Sequence, residues 1–167
     1  MNGRKPLATF IVFLLSISSI ASAGSILRDL DCLELVIEQT IKRLESDIEF
    51  DHEPSGDLVS RAGRQLELSA LATGRSELLE EDYYNLALSL IAGHFGDYTT
   101  ACQLLRNELK IQTLDATSRW LRKEISKLEK RIAAAAQPLA QKSRTEDYNY
   151  KKNLQDLKKT LFRAGVR

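Results

Sequence analysis

Cysteine, proline, histidine and aromatic residues are all scarce in this chain of 167 residues, and each shortage removes a class of protein. Two cysteines, Cys32 and Cys102, are too few for the cysteine-rich small phospholipase type. Two histidines, His52 and His94, cannot make a His-Glu-x-x-His helix at that separation. Neither a glycine-rich dinucleotide loop, nor a phosphate loop, nor a serine or cysteine nucleophile in a recognisable elbow is present. The three prolines stand at 6, 54 and 138, which leaves long stretches where a helix can run uninterrupted. Aromatic residues make up 7% of the chain, and no useful length of it alternates apolar with polar residues as a strand would. The remaining pattern, apolar residues three and four apart, reads all-α.

The N-terminus carries a targeting pattern. Arg4 and Lys5 are followed by the apolar run Leu7 to Ile20 and then by Ala21-Ser22-Ala23, the small-x-small signature of a signal-peptidase site. Because a spanning helix needs roughly 20 apolar residues, residues 1–23 are expected to be a cleaved signal peptide. Residues 24–167 then form a single α-helical domain, secreted or periplasmic, with no transmembrane segment in the mature chain. In an oxidising compartment Cys32 and Cys102 are expected to pair. A bridge between positions 32 and 102 closes a loop of 70 residues, for which chain entropy gives about 4 kcal/mol of stabilisation.

Net charge is +1, but its distribution is strongly uneven. Residues 24–102 hold 6 Lys and Arg against 16 Asp and Glu, whereas residues 103–167 hold 16 against 7. Such segregation lets the halves attract each other within one chain or between copies, or offers the basic half to an anionic partner.

About five helices are expected, in an irregular bundle or αα-hairpin array. The first runs from about Ser25 to Phe50, with Leu30, Leu33, Ile37, Ile41, Leu44 and Ile48 inward, and ends before Pro54 and Gly56. A second spans about Asp57 to Ala72 and stops at Gly74; a third, capped by Ser76, reaches about Ala92. Leu104, Ile111, Leu114, Leu121, Ile125, Leu128 and Ile132 share one heptad frame, which predicts a long helix over about 98–136 as the spine, with a new start at Asp115 as the alternative. A last helix, capped by Thr145, carries Tyr150, Leu154, Leu157 and Leu161 and ends at Gly165.

Four groups of residues are candidates for chemistry. The run Glu45 to Glu53 has five carboxylates at every second position, but on a helix that spacing spreads them over opposite sides and suits no single metal ion. Histidine is the residue type best suited to act as a general base near neutral pH, but His94 lies in an expected corner without a nucleophile beside it. Paired carboxylates for glycoside hydrolysis cannot be nominated from spacing alone. Arg119, Trp120, Arg122, Lys123, Lys127, Lys130 and Arg131 form a basic and aromatic cluster suited to a partner or to an anionic surface.

Gly96, Tyr98, Ala101 and Leu105 follow the Gly-x-Tyr-x-x-Ala pattern that opens the second helix of a tetratricopeptide-type repeat, and this segment resembles the middle of such a hairpin. Ala92 and Glu108 depart from that pattern, and no second copy follows at a period near 34, so the resemblance implies one αα-hairpin of about 30 residues. The expected function is that of an exported, non-catalytic helical protein that binds or scaffolds another protein, or itself, without a cofactor or nucleic acid. The alternatives are a small hydrolase acting on an envelope or extracellular polymer, and a protein docking on anionic lipid or polysaccharide through its basic half.

Overall fold

The computed structural model describes residues 7–50, 57–80, 83–136 and 148–166, and within the first helix the side chains from Ile26 to Asp47. The described chain is all-α, with seven helices: α1 Leu7–Phe50, α2 Leu58–Ala72, α3 Glu77–Glu80, α4 Tyr84–His94, α5 Tyr98–Ile111, α6 Asp115–Ala135 and α7 Tyr150–Arg163. The expected leader, the turn before Gly56, Pro138 and the Thr145 cap lie outside the described residues or side chains. Among the described residues no helix is long and apolar enough to cross a membrane.

Two of the five expected helices divide. The third becomes the single-turn α3 and the longer α4; the fourth breaks at Gln112–Leu114 into α5 and α6. At that break Gln112 and Leu114 adopt extended backbone, and the Gln112 side-chain oxygen accepts the N–H groups of Thr113 and Leu114 at 3.1 and 3.0 Å. The chain then folds back, so that Arg106 on α5 meets Glu129 on α6 at 2.6 Å, a contact only an antiparallel hairpin permits. A straight helix over 98–136 would extend nearly 60 Å and leave most of its apolar seam in water. Folding back buries Leu121, Ile125 and Leu128 while Ile111, at the corner, stays 57% exposed.

The spine is α4 rather than the expected long helix. Its sequence Leu86-Ala87-Leu88-Ser89-Leu90-Ile91-Ala92-Gly93 is buried on every side, as a helix apolar all round must be. It packs against α1, α2, α5 and α7, while α6 packs on α5 and α7. Leu30, Leu33 and Ile37 of α1, Leu66 of α2, Leu121 of α6 and Leu154, Leu157 and Leu161 of α7 complete one core. Asp57 caps α2, its carboxylate accepting from Ser60 N and Ser60 Oγ; those bonds hold the carboxyl below its ordinary pKa. Asn149 caps α7 by accepting from Lys152 N at 3.2 Å.

This arrangement overturns the expected disulfide. Cys32 and Cys102 are separate thiols, the first half-buried on α1 and the second buried on α5. Helix α4 stands between, contacting both α1 and α5, so the two cysteine-bearing helices do not form a major packed pair. Cys102 instead acts as a small core residue, and burial pushes its thiol pKa up.

Candidate functional site

The segment Gly93 to Cys102 gathers a histidine, an aspartate and a cysteine, and it is the corner between α4 and α5. Gly96 takes φ +83°, which closes the corner: its N–H donates to Gly93 O and the following Asp97 N–H donates to Ala92 O. Asp97 then caps α5 by accepting from Thr100 N at 3.1 Å. Gly93 serves another purpose. A β-carbon there would fall 2.4–2.8 Å from ring atoms of Tyr148, so the glycine is the socket into which that ring drops. His94 Nε2 lies 3.2 Å from Glu45 Oε1 on α1, and its ring meets Phe95 and Tyr150 edge-on. The corner therefore ties α4 to α1 and α7, and the three sequence-neighbouring groups do not converge on one reacting atom.

The charge segregation is partly consumed inside the fold. On one side of α7, Lys158 reaches Asp31 and Glu34 of α1 at 2.7 and 2.6 Å, and Lys151 reaches Glu38 at 3.2 Å. Lys151 and, after it, Lys42 hold the Glu38 carboxyl below its ordinary value; burial opposes the charge on Lys158, but its two carboxylate partners raise its pKa on balance.

Other cationic residues gather on α6. Arg119, Lys123, Lys127 and Arg131 are spaced four apart and so form one stripe on α6. Antiparallel to it, α7 brings up Lys152 and Lys159, and a groove opens between the helices. Its inner part, about 430 Å³, is lined by Glu124, Lys127, Arg131, Tyr148, Asn149 and Lys152; its outer part, about 260 Å³, adds Lys123, Asp156 and Lys159. Arg131 stacks over the Tyr98 ring at 5.4 Å, and Tyr98 in turn lies against Tyr148 at 6.3 Å. Tyr148 is half-buried, and desolvation of its phenol raises its pKa well above the ordinary value.

Of the expected cluster, the structure thus brings Lys123, Lys127 and Arg131 together with α7. Arg122 and Lys130 are exposed off that stripe. Trp120 does not belong to the surface at all: it is 2% exposed, and its indole N–H has no hydrogen-bond partner. Its position on the apolar face with Leu121 and Ile125 explains this, since helical spacing overrides its sequence neighbours.

Of the acidic run, only Glu45 and Asp47 lie among the described side chains, and they point to different partners. Glu45 turns to His94, and Asp47 accepts from Gln65 of α2 at 3.0 Å. Among the described residues no group of three or more His, Cys, Asp or Glu could hold a metal ion. Sequence reasoning missed the buried carboxylate Glu108, 3% exposed, which with Asp29, Tyr83 and Thr117 lines a cavity of about 470 Å³. Its signal was legible: Glu108 continues the buried stripe of Ala101 and Leu105, where the tetratricopeptide pattern has a small residue. Compared with family models, curated proteins and solved structures, the chain matches none.

Proposed function

We propose that this is an exported, non-catalytic helical protein that binds another protein, with Phe162 at the centre of the contact. The observation that carries this reading is the exposure of Phe162, 60% accessible near the end of α7. Beside it lies a hollow of about 340 Å³ formed with Leu27 of α1 and edged by Asp31, Lys158, Lys159 and Arg163. An aromatic anchor beside an apolar hollow, with a charged rim, is the anatomy of a protein contact rather than of a catalytic cleft. Export rests on the basic start, the apolar run and the Ala-x-Ala sequence at residues 21–23.

The test is capture of a partner from the protein's own compartment, repeated with Phe162→Ser. Loss of at least about 2 kcal/mol of binding, roughly thirtyfold, is expected for an anchor of this kind. Partner binding unaltered by the substitution, or turnover of an envelope polymer with no stable partner, removes the reading.

A further inference from the structure

The geometry points to a second form of the protein, beyond the contact at Phe162: two copies exchange α6 and α7 when the corner at Gln112–Leu114 straightens into continuous helix. Two other described corners turn on a glycine at positive φ, Gly74 after α2 at +66° and Gly96 after α4 at +83°, and those residues must reverse the sign of φ to become helical. The corner after α5 has no such lock. Gln112 stands at φ −70°, ψ 127° and Leu114 at φ −83°, ψ 120°, so each φ is already near the helical value and rotation about ψ alone completes the change. Neither glycine nor proline occurs between Tyr98 and Ala136, and the Gln112 N–H already bonds Glu108 O at 3.0 Å as it would in a longer helix. The bend is held at its hinge by Gln112 Oε1, which accepts from the N–H groups of Thr113 and Leu114, while α6 starts at Leu114 without a side-chain cap. A continuous helix returns both N–H groups to backbone carbonyls.

The partner is fixed by complementarity. A single straightened copy strands its apolar seam in water, and the surface shaped to cover that seam is the one a second straightened copy has left open. The Arg106–Glu129 pair and the burial of Leu121, Ile125 and Leu128 re-form between copies with unchanged chemistry. Helix α7 follows α6 in the chain, so Lys151 and Lys158 then meet Glu38, Asp31 and Glu34 of the second copy. What the exchange adds lies at the hinge. Ile111, 57% exposed at the bend, and the half-buried Leu114 stand three residues apart; on a straight helix they share a face, which meets its counterpart about the two-fold axis. Covering Ile111 offsets part of the entropy lost on association. The hollow beside Phe162 takes Leu27 and Asp31 from α1 and its other residues from α7, on opposite sides of the hinge. Each hollow in the exchanged dimer is therefore built from both copies, and the dimer presents two of them. That consequence rests on the reading of Phe162, whereas the exchange itself does not.

The chain as its cell exports it is held at millimolar concentration in urea at the start of its unfolding transition, returned to buffer and separated by size. A dimer that persists on dilution is expected, because it comes apart only when both copies reopen. Spin labels at positions 106 and 129, on chains carrying Cys32→Ser and Cys102→Ala and mixed with a large excess of unlabelled chain, read the exchange directly. Within one labelled chain the dimer should show about 35 Å, whereas the monomer should show helices side by side with axes about 8–10 Å apart. Two hinge variants should move the balance in opposite directions. Gln112→Ala with Thr113→Ala removes the bond that holds the bend and adds strong helix formers, and should raise the dimer fraction at least about threefold. Thr113→Pro keeps Gln112 in the extended conformation it already has and bars a helix through the corner, and should cut the dimer at least about tenfold while retaining wild-type helicity. Phe162→Ser should leave the dimer fraction unchanged, which distinguishes failure here from failure of the protein contact. No dimer after this treatment, a dimer whose labelled chains keep the short distance, or equal dimer fractions in the two hinge variants overturns the proposal.

Discussion

Gly93 and the two cysteines show how single residues carry the architecture. The ring of Tyr148 occupies the space of a β-carbon on Gly93 at 2.4 Å, and its surroundings are buried helix. Gly93→Ala must displace the ring or the backbone, and overpacking of this kind costs about 1–3 kcal/mol. Urea unfolding at equilibrium should show that loss; a midpoint equal to wild type would mean that Tyr148 sits elsewhere. For the cysteines, the native protein should yield two alkylatable thiols without prior reduction. Cys32, half-exposed, should react quickly, and Cys102, 2% exposed with its thiol pKa raised by burial, should react only as the core opens. An intact mass two protons lower, with Cys32 and Cys102 in one linked peptide, contradicts the packing of α4 between them.

At the scale of elements, the α5–α6 hairpin and the α1–α7 pair are each open to measurement. Spin labels at Arg106 and Glu129 should report helices packed side by side, with axes about 8–10 Å apart, whereas a continuous helix would separate those positions by about 35 Å. Between α1 and α7 the ion pairs set opposite pH limits. Glu38, held below its ordinary value of 4.5, contributes stability above that value and loses it as pH falls through its lowered folded value. Lys158, raised above its ordinary 10.5, contributes below that value and loses it as pH rises through its folded value. Lys158→Met should therefore flatten the alkaline fall in the melting temperature while leaving the acidic fall in place. An unchanged alkaline fall would separate Lys158 from Asp31 and Glu34. Legibility at this scale was uneven for a physical reason: periodicity reveals which residues face inward but not which neighbour they face. The heptad frame through Leu104 and Leu121 is real on each side of Gln112, yet the turn at Gln112–Leu114 depends on a side chain bonding its own backbone and on the burial gained by folding back.

At the largest scale, the described residues gather one core around α4, with charge sorted over its surface. Segregation of acidic and basic halves was plain in the sequence, and its internal use by Lys151 and Lys158 follows from the packing of α7 on α1. The groove was only half legible, because its α6 wall is one periodic stripe while Lys152 and Lys159 come from a helix beyond residues 137–147. Phe162 was not legible at all: on sequence alone it neighbours Leu161, which is buried, and only the angular step between them places one inside and the other out. The measurement that tests the proposed function most directly is the affinity of the captured partner for wild type, for Phe162→Ser, and for Lys123→Gln with Lys152→Gln. A protein contact centred on Phe162 predicts a loss of roughly thirtyfold in the first variant and little change in the second. Equal affinity of wild type and Phe162→Ser would contradict it.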